Sequence, residues 1–264
     1  MARLPIVLLV LLASLPAWAN DLAKNLAPTG TLRATFIGRN PVQATIDGRT
    51  GEARGPAAEI TRMMAGKLGI PFTIAGVANA PAVIESVKSG AADIGFVAFD
   101  PVRAAEVDFA QAYSLVQNVY VVKEASPVRV SADADKPGVR IGVGERDAAD
   151  FFLTRTLRNA TLVRNASGSS DAAMKMLTSG EVDVYGGNRQ RMGEAVARTP
   201  GLRLLPDSFY GVEQAIIVAK GDTARLAIVN GMIDEARTSG LIGAAIARAG
   251  LVGVDVAPAG TRRQ

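Results

Sequence analysis

The fold of this chain is decided by residues 89–113, which read SGAADIGFVAFDPVRAAEVDFAQAY. Ser89-Gly90 is a typical helix end, because glycine adopts the left-handed conformation that closes a helix. The residues before it have apolar positions at helical spacing. Asp93–Ala98 is a short apolar run of the kind that forms a buried strand. The stretch therefore predicts a helix followed by a buried strand, which is one step of an α/β fold.

The same alternation of strand and helix precedes this stretch. Thr31–Phe36 and Phe72–Ile74 are rich in β-prone residues, and Pro56–Leu68 has helical spacing that ends at Gly69. Strands that alternate with helices are typical of a parallel sheet covered by helices. We therefore predict an α/β fold.

A weak internal repeat relates two parts of the sequence. SGAADI at 89–94 resembles SGEVDV at 179–184, and TLRATF at 31–36 resembles VRIGVG at 139–144. Chance is the alternative explanation, since Ser-Gly after a helix is common. Two similarities in the same order favour two similar α/β halves.

Two strongly β-prone segments, Val119–Lys123 and Ala215–Ala219, flank the second half. If both cross between the halves, the chain leaves a first lobe, builds a second lobe and returns. We expect residues 20–123 and 216–264 to form the first, discontinuous lobe, and residues 124–215 to form the second lobe with the hinge segments. Two crossings side by side make a hinge, and the cleft between the lobes is a natural ligand site.

The first nineteen residues are predicted to be a signal peptide. Arg3 precedes an apolar run, Leu4–Leu15, and the segment ends in Ala17-Trp18-Ala19, which matches the A-x-A cleavage pattern. A membrane anchor is the alternative, but the run is shorter than the roughly 20 residues that span a bilayer. We expect cleavage after Ala19 and a soluble product in the periplasm.

Composition excludes several classes of function. The chain has no cysteine and no histidine, so a zinc or copper site and a Ser-His-Asp or Cys-His nucleophile are not expected. The net charge of the chain is +4. The basic residues are scattered rather than clustered along the sequence, which argues against a nucleic-acid partner. A modest positive charge favours anionic ligands. No metal or other cofactor is expected, and we expect a monomer.

The order of motifs resembles that of the family 3 bacterial extracellular solute-binding proteins. That family has a Ser-Gly-x-x-Asp step, a Thr-Pro-Glu-Arg stretch and a Val-Asp-Phe-Ser-x-x-Tyr motif. This chain has Asp93 in the first, Arg103 in the second and Val107-Asp108-Phe109 in the third, at matching spacing. The resemblance covers roughly residues 30–253.

The resemblance implies a fold and a function. The fold is the two-lobed, type II periplasmic binding protein architecture, in which two parallel-rich sheets with flanking helices are joined by a two-strand hinge. The function is capture of a small carboxylate-bearing solute, an amino acid or a related compound, in the cleft. The implied partner is an inner-membrane ABC permease.

Arg103 is the principal candidate for ligand binding. In the family, the arginine at this position pairs with the ligand carboxylate. A guanidinium offers a planar fork of donors that matches a carboxylate bidentately. Arg103 also follows a predicted buried strand, and ligands of open α/β sheets bind at such strand ends. The alternative is a surface arginine paired with Glu106 or Asp108.

Three first-lobe residues complete this side of the predicted site. The resemblance implies ligand contacts from the stretch that holds Ala98 and Asp100, although Asp100 replaces the usual hydroxyl residue. Asp100 before a proline is also a common cap of a following turn. Phe36 is the single aromatic of the early loop, where the family places an aromatic clamp, and its alternative role is in the core. Glu213 and Gln214, near the return hinge, are further polar candidates.

The second lobe departs from the family pattern. The family aspartate that meets the ligand ammonium aligns with Asn188, which can accept a hydrogen bond but carries no charge. Asp147 could supply the missing charge or cap a helix, and Arg146 could bind a second acidic group. These changes argue against a plain α-amino acid and leave a dicarboxylate, an N-substituted amino acid or an opine-like compound open.

Two other functions fit the same resemblance. Some relatives dehydrate cyclic amino acids such as arogenate, which requires a general acid in the cleft. Glu145, Asp147 and Glu213 are the available donors, and no spacing marks any of them as catalytic. An accessory binding protein without a transport role is the third possibility.

Overall fold

The computed structural model describes residues 17–261, with side chains from residue 21 onward. The predicted signal peptide falls largely outside this range. The helices are α1 (Ala17–Leu26), α2 (Pro56–Leu68), α3 (Ala80–Lys88), α4 (Pro101–Ala104), α5 (Ala148–Thr156), α6 (Ser170–Ser179), α7 (Arg189–Ala197), α8 (Thr223–Thr238) and α9 (Leu241–Arg248). None of these helices is both long and apolar enough to cross a bilayer.

The strands alternate with the helices in the predicted order. They are β1 (Leu32–Ile37), β2 (Thr45–Ile46), β3 (Ala53–Arg54), β4 (Phe72–Val77), β5 (Ile94–Ala98), β6 (Val107–Lys123), β7 (Arg140–Gly144), β8 (Thr161–Asn165), β9 (Val184–Asn188), β10 (Leu202–Leu204), β11 (Tyr210–Ala219) and β12 (Val254–Val256). The α/β fold class is confirmed.

Local sequence signals explain the helix boundaries. Helix α2 has Pro56 in its first turn and ends at Gly69, whose φ of 65° is the left-handed conformation expected of a closing glycine. Helix α3 begins at Asn79, whose side chain accepts a hydrogen bond from the backbone N–H of Ala82 at 3.0 Å. Gly180 closes α6 with a φ of 77°.

The main sheet has the strand order β4-β1-β5-β11-β6-β9-β7-β8. Strand β1 runs parallel to β4 and β5, and β7 runs parallel to β8 and β9. The two parallel groups are joined by β11 and β6, which are antiparallel to each other. The sheet is therefore symmetric in plan, with three parallel strands on each side of a central pair.

Strand β6 connects the two predicted sheets into a single sheet. It begins at Val107 rather than at the predicted Val119, and its 17 residues span about 56 Å at 3.3 Å per residue. Its first part pairs with β11, and its last part pairs with β9 from Asn118 to Val122. The expected separate sheets are therefore hydrogen-bonded into a continuous one, because a single strand belongs to both.

The buried apolar residues fall into two sets. The cores around β1, β4 and β5 use side chains up to residue 116 and from residue 212 onward. The cores around β7, β8 and β9 use residues 119–205. We call the parts that these cores define the first half and the second half. The chain passes from one core to the other near both predicted lobe boundaries. This supports the proposed division into two lobes.

Candidate functional site

A cavity of about 70 Å³ lies between the two halves. Ile37, Ala98 and Asn188 line it, and they are the last residues of β1, β5 and β9. Carboxyl ends of strands are where open α/β sheets bind ligands. Of the seven predicted site residues, four line this cavity: Ala98, Arg103, Asp147 and Asn188.

Arg103 is held by backbone carbonyls from both halves. Its Nη1 donates to the Ala98 carbonyl at 2.8 Å, and its Nη2 donates to the Arg146 carbonyl at 3.0 Å. The guanidinium carbon lies 5.3 Å from the centre of the Phe151 ring, a cation–π contact. The residue is only 6% exposed, so the alternative of a surface arginine is wrong.

The surroundings of Arg103 suit an anion. Burial lowers the pKa of Arg103 from its usual value, while the nearby Asp100 and Asp147 carboxylates act in the opposite direction. A guanidinium has five N–H donors, and the two carbonyl hydrogen bonds occupy two of them. Donors therefore remain for a ligand in the cavity that Arg103 lines.

Asp100 has a structural position rather than a place in the cavity lining. Its Oδ1 accepts a hydrogen bond from the Val102 N–H at 2.8 Å and so caps α4. Capping was one of the two roles predicted for Asp100. Its Oδ2 pairs with Arg155 of α5 at 2.8 Å, so it links the two halves. The Asp100 side chain is 3% exposed, because these two partners enclose it.

The loop before α5 separates the roles of Arg146 and Asp147. Arg146 has a φ of 61°, which is unusual for a residue other than glycine and turns its carbonyl toward Arg103. Its side chain is exposed and does not line the cavity, unlike the expectation of an acid-binding group. Asp147 occupies the N-cap position of α5 but makes no side-chain cap hydrogen bond. Its Oδ2 lies 3.4 Å from Nη2 of Arg191.

Asn188 lines the cavity and also caps the helix that follows it. Its Oδ1 accepts the Arg191 backbone N–H at 2.7 Å and so caps α7. Its Nδ2 lies 3.4 Å from Oδ1 of Asn40, which belongs to the first half. Helix capping therefore uses the oxygen that the sequence comparison assigned to a ligand ammonium.

Phe36 lies in the core and not at the cavity, so its predicted place in an aromatic clamp is wrong. Its side chain is 0% exposed and packs with Leu32 and Ala34, which share its face of β1. Successive residues of a strand point to opposite faces, so Ile37 faces the cavity instead. Within residues 21–261, no aromatic side chain lines the cavity.

Two arginines of the cavity were not among the predicted site residues. Arg39 follows β1, and its Nη1 donates to the Ser167 carbonyl of the second half at 3.2 Å. Arg191 lies in the first turn of α7, and its side chain is 16% exposed. The Nε of Arg191 is buried and has no hydrogen-bond partner among the described residues. Among the described residues that line the cavity, there are three arginines and a single carboxylate, that of Asp147.

Amide side chains complete the lining. Gln214 of β11 accepts a hydrogen bond from Nε2 of Gln43 at 3.0 Å, and both residues are buried. The Oε1 of Gln43 in turn accepts the Ile37 N–H at 2.9 Å, which fixes the end of β1. Asn118 lines the cavity from β6. Gln214 was a polar candidate from the sequence, while Asn118 lies in a part of β6 that was not predicted as strand.

The comparisons with known proteins agree with this fold. The family model of the bacterial extracellular solute-binding proteins, family 3, matches residues 36–249, and this chain belongs to that family. No curated protein sequence matches the chain.

Solved structures resemble the chain at low sequence identity. An amino acid ABC transporter substrate-binding protein, AbpA from Streptococcus pneumoniae bound to L-arginine, is 19% identical with a TM-score of 0.69, over 86% of this chain and 97% of that one. The ancestral amino acid-binding protein AncCDT-1, a precursor of cyclohexadienyl dehydratase, is 18% identical with a TM-score of 0.68, over 88% and 98%. A histidine kinase sensor domain is 20% identical with a TM-score of 0.70, over 86% and 98%. At these identities the likeness shows the fold.

Proposed function

We propose that the chain is a periplasmic solute-binding protein that captures a small carboxylate-bearing solute between its two halves and delivers it to an ABC permease of the inner membrane. The observation that carries the proposal is the position of Arg103. It is a buried cation in α4, just after β5, which is fixed by two backbone carbonyls and lines the cavity. A preorganised guanidinium loses little conformational freedom when a carboxylate binds.

Contacts between the halves support a cavity that closes around its ligand. Asp100 pairs with Arg155, Arg39 donates to the Ser167 carbonyl, and Arg103 donates to the Arg146 carbonyl. Each contact joins the first half to the second. Closure around a solute removes water from charged hydrogen bonds, which strengthens them.

Family membership supports further parts of the proposal. The family is described as extracellular, which supports export by the predicted leader, cleavage after Ala19 and a periplasmic location. Relatives that serve amino acid ABC transporters support a permease partner. We propose a monomer that needs no cofactor for binding.

A binding role is favoured over the dehydratase alternative by the placement of the acidic residues. Of Glu145, Asp147 and Glu213, only Asp147 lines the cavity, and its carboxylate faces Arg191. Glu213 lies beside a different cavity, near Phe99 and Lys220. A general acid must reach the reacting group, so Asp147 alone has the position for such a role.

The decisive experiment substitutes Arg103. A thermal-shift screen over amino acids, dicarboxylates and opines identifies the ligand, since a bound ligand raises the melting temperature. For the best hit, Arg103→Ala should weaken binding by roughly thirtyfold to several thousandfold, because removing one member of a buried charge pair costs about 2–5 kcal/mol. Arg103→Lys should restore part of the affinity, since an ammonium lacks the bidentate geometry.

Arg49→Ala is the matched control, because Arg49 is exposed between β2 and β3. Urea unfolding of the ligand-free variants shows whether Arg103→Ala retains the fold. A best ligand without an acidic group, or one that Arg103→Ala binds as tightly as the parent does, contradicts the carboxylate anchor. Absence of any binding favours an accessory role.

A further inference from the structure

We infer that the solute carries two anionic groups, and that the second binds at the end of the cavity lined by Arg191 and Arg39. The inference rests on the proposed function and names the class of solute for the same cavity. Arg103 anchors the first group. The second group follows from the other charged residues that line the same cavity.

Arg191 has the strongest requirement for an acceptor. Its guanidinium is mostly buried, and its Nε has no hydrogen-bond partner among the described residues. Its contact with Asp147 is long, at 3.4 Å from Nη2 to Oδ2. A mostly buried guanidinium is costly unless an anion compensates its charge, and the long contact with Asp147 leaves this compensation incomplete.

Arg39 adds positive charge at the same end. It comes from the first half, and one of its Nη atoms rests on the second-half carbonyl of Ser167. Arg39, Asp147 and Arg191 all line the cavity, and Asp147 is the one carboxylate among the described lining residues. Asp147 can neutralise one of the two arginines, and the other remains.

The Asn188 amide supports the same conclusion. Its oxygen accepts the Arg191 N–H, and one N–H of Nδ2 donates to Asn40, so a second N–H remains for a ligand. Beside it, two arginines, Arg191 and Arg39, accompany one carboxylate among the described lining residues. A cationic side chain such as that of arginine would meet repulsion there, with no aromatic surface among the described lining residues to compensate.

The size of the cavity favours a compact ligand. Its volume of about 70 Å³ is well below the roughly 300–1,000 Å³ of common ligand pockets. Two acidic groups on a short aliphatic chain, as in succinate or L-glutamate, match the charges and keep the ligand small.

The test uses pairs of probes that differ in one charge. Isothermal titration calorimetry in a Tris-chloride buffer would compare succinate with its monoamide succinamate, and L-glutamate with L-glutamine. L-Arginine is included as the cationic probe. We expect the acid of at least one pair to bind about ten- to a hundredfold more tightly than its amide, as charged hydrogen bonds are stronger than neutral ones.

Variants assign the preference to its residues. Arg191→Gln and Arg39→Gln should each reduce the ratio of acid to amide affinity, and Arg191→Lys should preserve part of it. Arg198→Gln is the control for α7, because Arg198 is exposed and does not line the cavity. Arg103→Lys should weaken both members of a pair and leave their ratio largely unchanged.

The outcomes distinguish this inference from the proposed function. If succinamate, L-glutamine or L-arginine binds at least as tightly as the acids and Arg103→Ala abolishes that binding, two-anion selectivity is overturned and the carboxylate anchor stands. An acid preference that both glutamine variants leave unchanged also overturns the assignment to Arg191 and Arg39. If the parent protein binds none of the probes, the inference fails, and the wider screen then decides the proposed function.

Discussion

The two halves of the molecule contain the same arginine–aspartate pair in two different environments. In the first half, the Arg33 N–H and Nε donate to Oδ2 of Asp93 at 2.8 and 3.1 Å, and Nη2 donates to Oδ1 at 2.7 Å. In the second half, Arg140 makes the same three hydrogen bonds to Asp183, at 2.9, 3.1 and 2.9 Å. In each pair, the arginine lies at the start of one strand, and the aspartate directly precedes the neighbouring parallel strand.

The environments of the two pairs differ in exposure. The Asp93 side chain is 2% exposed and that of Asp183 is 42% exposed. Identical hydrogen bonds can therefore contribute unequally to stability, because water replaces a lost partner only where it has access. Geometry defines the motif, and burial determines its energetic importance.

Asp93→Asn should have the largest effect on stability. The amide would direct an N–H at the Arg33 guanidinium, which leaves a mostly buried charge without its partner. We expect the free energy of unfolding to fall by about 3 kcal/mol, the lower end for breaking a buried pair, since Arg33 retains some exposure. Urea denaturation at pH 7 measures the change. If Asp93→Asn lost no more stability than Asp183→Asn, the importance of burial would be contradicted.

Asp183→Asn makes the same change in the exposed pair. Water can solvate both Arg140 and the new amide, so we expect no more than about a third of the loss caused by Asp93→Asn. The same urea experiment provides the comparison, and high salt should reduce the second-half effect further. Equal losses in the two halves would show that the shared hydrogen bonds, rather than burial, set the energy.

We expect the smallest effect when the unfolding free energies of the parent and Asp183→Asn are compared at acidic pH. The hydrogen bond from Arg140 is the main cause that holds the pKa of Asp183 below its usual value. A carboxylate with a lowered pKa stabilises the fold above its unfolded pKa of about 3.9, and this contribution is lost as the pH falls through the lower folded value. The gap in unfolding free energy between the parent and Asp183→Asn should therefore narrow below about pH 4. Urea midpoints from pH 6 to pH 3 test this, and a constant gap would exclude the Asp183 carboxylate as its source.

The paired motifs show what could be predicted of the fold. The resemblance of residues 89–94 to 179–184 predicted two similar halves, and the structure gives both aspartates the same partner and position. Local signals sufficed because a helix end and a following strand are specified within a few residues. The first twelve residues of β6 were not predicted as strand, since the pairing that orders them comes from β11, about a hundred residues later in the chain.

Prediction of the candidate site was less complete. Arg103, Ala98, Asp147 and Asn188 line the cavity as the motif comparison implied. Contacts between the halves decide the rest: Asp100 pairs with Arg155, and the first turn of α7 brings Arg191 to Asp147. Such contacts depend on how two halves approach each other, which residue spacing does not specify. Phe36 was misplaced because a strand of mixed burial does not reveal which face meets the cavity.

The position of β11 has a consequence for the order in which the protein folds. This strand lies between β5 and β6, yet it is synthesised about ninety residues after both. Until residue 219 leaves the ribosome, the two long edges that it will join remain unpaired, and pairing of such distant segments is slow. The N-terminal part therefore cannot complete its sheet until β11 has been synthesised. For a chain proposed to cross a membrane by a secretory route, that delay preserves the unfolded state required for passage.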